Sequence, residues 1–322
     1  MIRKRYLWKV RDREIQLGDR TLIMGVLNVT PDSFSDGGHY SEPDQAYARA
    51  LEIEEEGADI LDIGAESTRP GSGRVSELEE LRRLVPVLKR LRDKLTIPIC
   101  VDTYKAAVAE RALELGAEIV NDVSGLTFDP LLAKVASTHN AGFILNHMRG
   151  TPESWAKLPP LPEPMAITLP DLEAAVHRAR RGGIEMPRLV IDPGLGFGKR
   201  KEENARIIAA LSELNRLDLP ILAGPSRKSF LAQTTPEGLL MATAAATAVC
   251  IFNGAHLVRV HDVKEMVIVA QMADMMARAT PVPPTPSPVP GTSKTDPLRS
   301  ARRDASERIP LDPLNRANQG KS

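Results

Sequence analysis

The sequence of 322 residues predicts an α/β protein: a (β/α)8 TIM barrel with an N-terminal β-hairpin and a disordered C-terminal tail. Three observations carry that prediction. Eight short aliphatic or β-branched runs recur along the chain, segments of helical period separate them, and the runs end in polar or charged residues. Eight βα units over roughly 260 residues suit a closed barrel better than an open doubly wound sheet, which seldom keeps one uniform alternation for so long.

The elements follow in order. Tyr6 to Arg20 alternates through Trp8, Val10, Ile15 and Leu17, a hairpin pattern placed to close the barrel floor. Barrel strands are predicted at Leu22 to Val29, Ile60 to Gly64, Ile97 to Asp102, Glu118 to Val123, Gly142 to His147, Leu189 to Asp192, Ile221 to Gly224 and Leu257 to Val260. Between them lie amphipathic stretches such as Ala46 to Glu56, Glu77 to Leu95, Ala106 to Leu115 and Asn204 to Leu214, each followed by a Gly, Pro or polar break. The uncharged window from Gly238 to His256 reaches the minimum length of a membrane span. Its Ala and Thr content, with Asn253 and His256, predicts a buried helix instead. The domain boundary falls at 280. Residues 281–322 hold nine of the 26 prolines and no aromatic, so burial cannot offset their ordering entropy, and a solvated tail without catalytic role is expected.

Composition narrows the function classes. With 42 basic and 42 acidic residues the formal net charge is zero, which excludes a charged interaction polymer and gives no reason to expect a nucleic-acid partner. Cys100 and Cys250 both sit in apolar runs and are expected to be buried free thiols in a reducing compartment. No apolar stretch of signal-peptide length follows Arg3, Lys4 and Arg5, so a cytoplasmic protein without a membrane partner is expected.

The polar run ends need a reason, because a parallel strand buried on both faces should be apolar throughout. They are Asn28; Asp62 with Glu66 beyond it; Asp102; Asn121 and Asp122; Asn146 and His147; Asp192; Ser226, Arg227 and Lys228; and Arg259, His261 and Asp262. In a barrel all eight ends converge on the catalytic mouth. Arg69, Arg227, Lys228, Arg259 and His261 are candidates to neutralise a phosphate or diphosphate at the rim. Asp102, Asn121 and Asp192 offer acceptors that suit a flat heterocycle presenting N–H groups. Gly194 to Lys199 lacks both the dinucleotide and the P-loop spacing, and none of the six histidines sits in a zinc pattern. Magnesium is easier to accommodate, since it needs only one or two protein oxygens beside substrate phosphate.

The motifs themselves resemble the dihydropteroate synthase family of folate biosynthesis. GVLNVTPDSFSDGG (Gly25 to Gly38) and DIGAESTRPGS (Asp62 to Ser72) are similar to its two long signatures. VDTYK at Val101, NDVSGL at Asn121, HMRGTP at His147, DPGLGFGK at Asp192, SRKSF at Ser226 and RVHDV at Arg259 continue the resemblance in the family's order. It covers roughly residues 5–279. Leu195 and Pro225 depart from the family pattern without removing a functional atom, and the short Leu231 to Leu239 segment lacks the basic residue usual before the last barrel helix, which bears on local substrate contacts and the neighbouring interface.

The resemblance implies a transferase that condenses 6-hydroxymethyl-7,8-dihydropterin diphosphate with p-aminobenzoate. It assigns Asp102, Asn121, Asp192 and Lys228 to the pterin, and Asn28, Arg69, Arg259 and His261 to the diphosphate, with Asn28 also ligating Mg2+. Phe34, Thr68, Arg69, Pro70 and Ser229 would form the p-aminobenzoate site. Thr30 to Pro43 and Ser67 to Val75 would be lids, and the late barrel helices would form a homodimer. Two rivals are a folate-type methyltransferase barrel, which would share Asp102, Asn121 and Asp192 but has no use for SRKS or the cations, and a barrel that binds without catalysis.

Overall fold

The computed structural model describes residues 3–30, 42–67 and 73–279. Expectations for 31–41 and 68–72, including Phe34, Thr68, Arg69 and Pro70, and for the tail 281–322, lie outside the described residues.

A two-stranded antiparallel hairpin, β1 (Tyr6–Val10) and β2 (Arg13–Leu17), precedes the barrel. The chain then runs β3 (Leu22–Asn28), α1 (Glu42–Glu55), β4 (Ile60–Gly64), α2 (Glu77–Leu91), β5 (Ile99–Asp102), α3 (Ala106–Glu114), β6 (Ile119–Asp122), α4 (Leu132–Thr138) and β7 (Gly142–Asn146). It continues α5 (Met165–Arg181), β8 (Leu189–Asp192), α6 (Lys201–Ala209), β9 (Leu222–Ala223), α7 (Pro236–Phe252), β10 (Leu257–Val260) and α8 (Val263–Ala279). The sheet order is β8-β7-β6-β5-β4-β3-β10-β9, parallel throughout, and a bridge from Ile191 to Ile221 brings its two edges together as a barrel.

All eight predicted strands form, with local trimming. β5 starts at Ile99 rather than Ile97, because Pro98 has no N–H for the ladder, although its carbonyl accepts from Leu61 N at 3.1 Å. β9 keeps only Leu222–Ala223, since Ile221 N donates to the His256 imidazole Nδ1 at 3.1 Å instead of a neighbouring strand. α2 stops at Leu91, four residues before the predicted Leu95, where Asp93 turns to a φ of 58°.

Side chains alternate at period two around the barrel. Ile23, Leu61, Val101, Val120, Phe143, Ile191 and Val258 face outward into the helix layer. Leu22, Met24, Ile60, Cys100, Ile119, Ile144, Val190, Leu222 and Leu257 face inward and pack on Trp8, Val10 and Leu17 of the hairpin. The hairpin therefore closes the N-terminal floor, with Trp8 Nε1 donating to Arg188 O at 2.9 Å. Gly142 permits that contact: a Cβ there would sit 2.8 Å from Val10 Cγ2 and 3.1 Å from the Trp8 ring. Both cysteines are buried and free, as expected.

One expectation needs correction. The Gly238 to His256 window is not a helix buried all round: in α7, Thr243, Thr247, Cys250 and Ile251 are buried, whereas Met241 is 67% and Val249 46% exposed. Its lack of charge reflects an apolar outer face as well as an inner one. No described helix is long and apolar enough to cross a membrane.

Trp8→Ala should lower the unfolding free energy by about 3–5 kcal/mol, read from urea melts, because the barrel floor cannot collapse onto the lost indole. A loss below about 1 kcal/mol would show that the hairpin is not part of the core.

Candidate active site

The period-two pattern that builds the apolar floor continues toward the C-terminal end. Two residues beyond Ile60, Cys100, Ile119, Ile144, Val190 and Leu257, on the same inward face, stand Asp62, Asp102, Asn121, Asn146, Asp192 and Arg259. Asn28 and His261 continue that parity on β3 and just past β10. These eight side chains form one inner layer above an apolar plug, whereas Asp122, expected at the mouth, shares the outward parity of Val120, is fully buried and caps its own turn by accepting from Ser124 N at 2.8 Å.

Arg259 organises this layer. Its Nε donates to Asp62 Oδ2 at 2.6 Å, and its Nη2 to Asp102 Oδ2 at 2.7 Å. A Cβ at Gly224 would lie 3.6 Å from Arg259 Cβ, and one at Gly64 3.5 Å from Asp102 Cβ, both ordinary van der Waals contacts, so neither glycine is demanded by the cluster. Burial opposes the Arg259 charge, but the two carboxylates outweigh it and hold the guanidinium charged. Burial pushes Asp102 up to about 7, with Arg259 opposing and Asp62 adding to the rise. Asp62 is 0% exposed, and its Oδ1 has no hydrogen-bond partner.

Asp192 stands in register with Asn146 at the end of β8. Its Oδ1 accepts from Gly194 N at 2.7 Å, and burial pushes its carboxyl up to about 6 against that bond and the nearby Lys228 and Lys199. Lys228 Nζ lies 4.1 Å from the centre of the Phe197 ring, a cation–π contact. Burial first, then Arg259, lowers the Lys228 ammonium to about 8. Asp192 and Lys228 therefore offer an acceptor and a donor close enough to influence each other's charge.

His261 departs from expectation in its charge. Burial, then Arg259 and Arg227, pull it down to about 3, so it meets a ligand as a neutral hydrogen-bonding ring rather than a cation. Ser226 Oγ accepts from His261 N at 3.1 Å and lies 3.0 Å from His261 Nδ1. With Oγ donating to Nδ1, the neutral ring carries its proton on Nε2. Two members of the expected cationic rim are ion-paired: Arg227 Nε binds Asp262 Oδ2 at 3.0 Å, and Arg259 holds its two aspartates.

A cavity of about 1330 Å³ opens over this layer, lined among others by Asn28, Asp102, Ser226, Lys228, Arg259 and His261. Asn121 and Asp192 share the inner layer but are 4% and 6% exposed and do not line that cavity. Ser229 is exposed and opens the short 3-10 turn Ser229–Leu231 after the Lys228 segment. Among the described residues no group of three His, Cys, Asp or Glu could hold a metal ion.

Three features escaped the sequence reading. Asp62 was visible only as a polar strand end, although its parity with Ile60 already aims it inward. Lys105 bridges Glu66 and the buried Glu80, with Tyr104 Oη 2.9 Å from Glu66 Oε1, which ties the segment after β4 to α2 and α3. Lys199, dismissed with its glycine-rich run, is buried and donates to His147 O, Gly194 O and Phe197 O.

Comparison with known proteins matches residues 24–261 to the family model "Pterin binding enzyme". The dihydropteroate synthase of Synechocystis sp. is 43% identical over 265 residues, which span 81% of this chain and 92% of that one. Among solved structures, the Xanthomonas albilineans dihydropteroate synthase with 4-aminobenzoic acid superposes with a TM-score of 0.78 at 38% identity, covering 85% of this chain and 100% of that one. The same enzyme in complex with 7,8-dihydropteroate gives 0.73 at 37% identity, over 82% and 95% of the two chains. The chain belongs to the dihydropteroate synthase family of pterin-binding enzymes.

Proposed function

We propose that this enzyme joins 6-hydroxymethyl-7,8-dihydropterin diphosphate to p-aminobenzoate, giving 7,8-dihydropteroate and diphosphate. The observation that carries the reading is the inner polar layer holding Asp102, Asn121, Asp192 and Arg259, with Lys228 lining the cavity over it from the segment after β9. Asp192 takes the pyrimidine N–H and exocyclic amine, Lys228 reaches the ring carbonyl, and Asp102 and Asn121 meet the remaining polar edge. Arg69, Phe34, Thr68, Pro70 and Ser229 complete the diphosphate and p-aminobenzoate sites by resemblance.

The pterin CH2–O bond breaks, and its electron pair leaves with the diphosphate. The electron-rich dihydropterin delocalises the cation at the exocyclic carbon, the neutral arylamine attacks there, and the resulting ammonium releases a proton. No strong general base is required. Negative charge develops on the departing oxygen, and Arg259 with a neutral His261 N–H, both lining the cavity, stabilise it in this reading. A guanidinium has five N–H donors, so Arg259 can serve both aspartates and an oxyanion. The amide oxygen of Asn28 at the cavity wall would ligate Mg2+ together with diphosphate oxygens and water. When bound there, the ion would neutralise charge on the leaving group.

The assembly we propose is a homodimer. Met241, Val249 and Phe252 of α7 and Ile268, Met272 and Met275 of α8 are exposed on helices that pack together, an apolar face that a second copy can cover. Free buried cysteines agree with a cytoplasmic enzyme, and residues 281–322 take no part in the chemistry.

Incubation with the pterin diphosphate, labelled p-aminobenzoate and Mg2+ should release diphosphate only when p-aminobenzoate is present, which separates this reading from both a methyltransferase and a non-catalytic barrel. Arg259→Ala should lower kcat at least about a hundredfold in the folded fraction, roughly 3 kcal/mol of lost oxyanion stabilisation. A loss under about fivefold rejects that role.

Asp192 acts as a carboxylate, so calorimetric affinity for a pterin diphosphate analogue should fall as pH drops through about 6. Asp192→Asn should bind weakly at every pH and lose that dependence. An unchanged affinity contradicts the assignment. Sedimentation should show a dimer for the wild type and a monomer for the double variant Ile268→Glu with Met272→Glu.

A further inference from the structure

Lys199 is a buried charge that the chemistry above leaves unused. Its side chain is confined where the residue is only 9% exposed, and its ammonium donates to Gly194 O at 2.7 Å, His147 O at 3.2 Å and Phe197 O at 3.2 Å. Three N–H bonds meet three carbonyl oxygens, which uses every donor an ammonium has. Those carbonyls come from two separate segments, the exit of β7 and the turn after β8.

Each of the three residues also touches a group assigned to the pterin. His147 N donates to Asp192 O at 2.9 Å, and Gly194 N to Asp192 Oδ1 at 2.7 Å. The Phe197 ring supports Lys228 Nζ at 4.1 Å. The turn is bent so that its carbonyls converge: Gly194, Gly196 and Gly198 have φ of 67°, 84° and 68°, and a Cβ at Gly194 would collide with His147 O. Converging carbonyl dipoles repel one another unless a cation or donor lies between them. Asn204 fixes the far side, accepting from Gly196 N at 2.7 Å and donating to Lys199 O at 3.0 Å.

We infer that Lys199 is a positioning residue for pterin recognition: its ammonium clamps the 194–197 turn onto the end of β7 and so holds Asp192 and Lys228 at a fixed spacing. This rests on the proposed pterin roles of those two residues. Lys199 does not touch substrate. Burial lowers its ammonium to about 7, opposed by Asp192 and Glu203 and reinforced by Lys228 and Arg149, a cost that a purely apolar packing residue would avoid.

The test uses full-length Lys199→Met and Lys199→Arg enzymes, with KM for each substrate and kcat measured on protein whose circular dichroism is native. Lys199→Met should raise KM for the pterin diphosphate at least about tenfold while KM for p-aminobenzoate stays within about twofold. Lys199→Arg keeps the charge, but its planar fork cannot meet three convergent carbonyls, so it should recover only part of the loss. If Lys199→Met does not fold, the same split of KM values is required of Lys199→Arg. A pterin KM within about twofold of wild type, or both KM values rising together, overturns the inference. Wild-type enzyme that fails to consume the pterin diphosphate would instead reject the proposed reaction; active wild type with unaltered variants rejects only the clamp.

Discussion

The structure depends most on the pairing of one partly buried guanidinium with the fully buried Asp62 and the partly buried Asp102. An unpaired charge on Asp62 would face a desolvation cost of several kcal/mol, and one on Arg259 or Asp102, which border the cavity, a smaller one. Together they are tolerable: Arg259 bonds both aspartates, and its strand β10 is joined through β3 to β4, which carries Asp62, and next to that β5, which carries Asp102. The ion cluster therefore ties the last barrel strand to the second and third across the mouth. A cation is held at the mouth by partners that offset its desolvation.

The barrel separates stability from chemistry along its own axis. One inward set of side chains, two residues earlier on the strands, is wholly apolar and sealed by Trp8, Val10 and Leu17. The next inward set is polar on six strands, and no hairpin covers it. Outward residues pack against helices at both levels, so the helix layer holds the strands whichever residue faces in. This geometry lets the mouth carry charges whose burial disfavours folding, because the apolar floor and the outer shell supply the compensating burial.

Protonation in the mouth is poised near neutrality by burial rather than by unusual residues. Asp192 at about 6, Asp102 at about 7 and Lys228 at about 8 are all moved toward one another chiefly by desolvation, whereas His261 at about 3 stays neutral. Such a set suits recognition of a heterocycle through alternating donors and acceptors, since small rearrangements of protons cost little. It also explains why a reaction driven by departure of an anion, needing no strong base, fits this site.

The strands, the hairpin and the inward placement of Asp102, Asn121, Asp192 and Arg259 were legible in the sequence, because period-two alternation and glycine or proline breaks are local properties of the chain. Strand ends were less so: β5 lost two residues to Pro98 and β9 lost Ile221 to His256, the second a partner 35 residues away. The apolar outer face of α7 was misread as burial because composition reports how apolar a helix is and not which side is covered. Only the tertiary structure showed that Arg259 is held by Asp62 and Asp102, that burial and Arg259 favour the neutral form of His261 and that Lys199 gathers three carbonyls. Those properties depend on distances between segments far apart in the chain and on the loss of water around them, neither of which residue order contains.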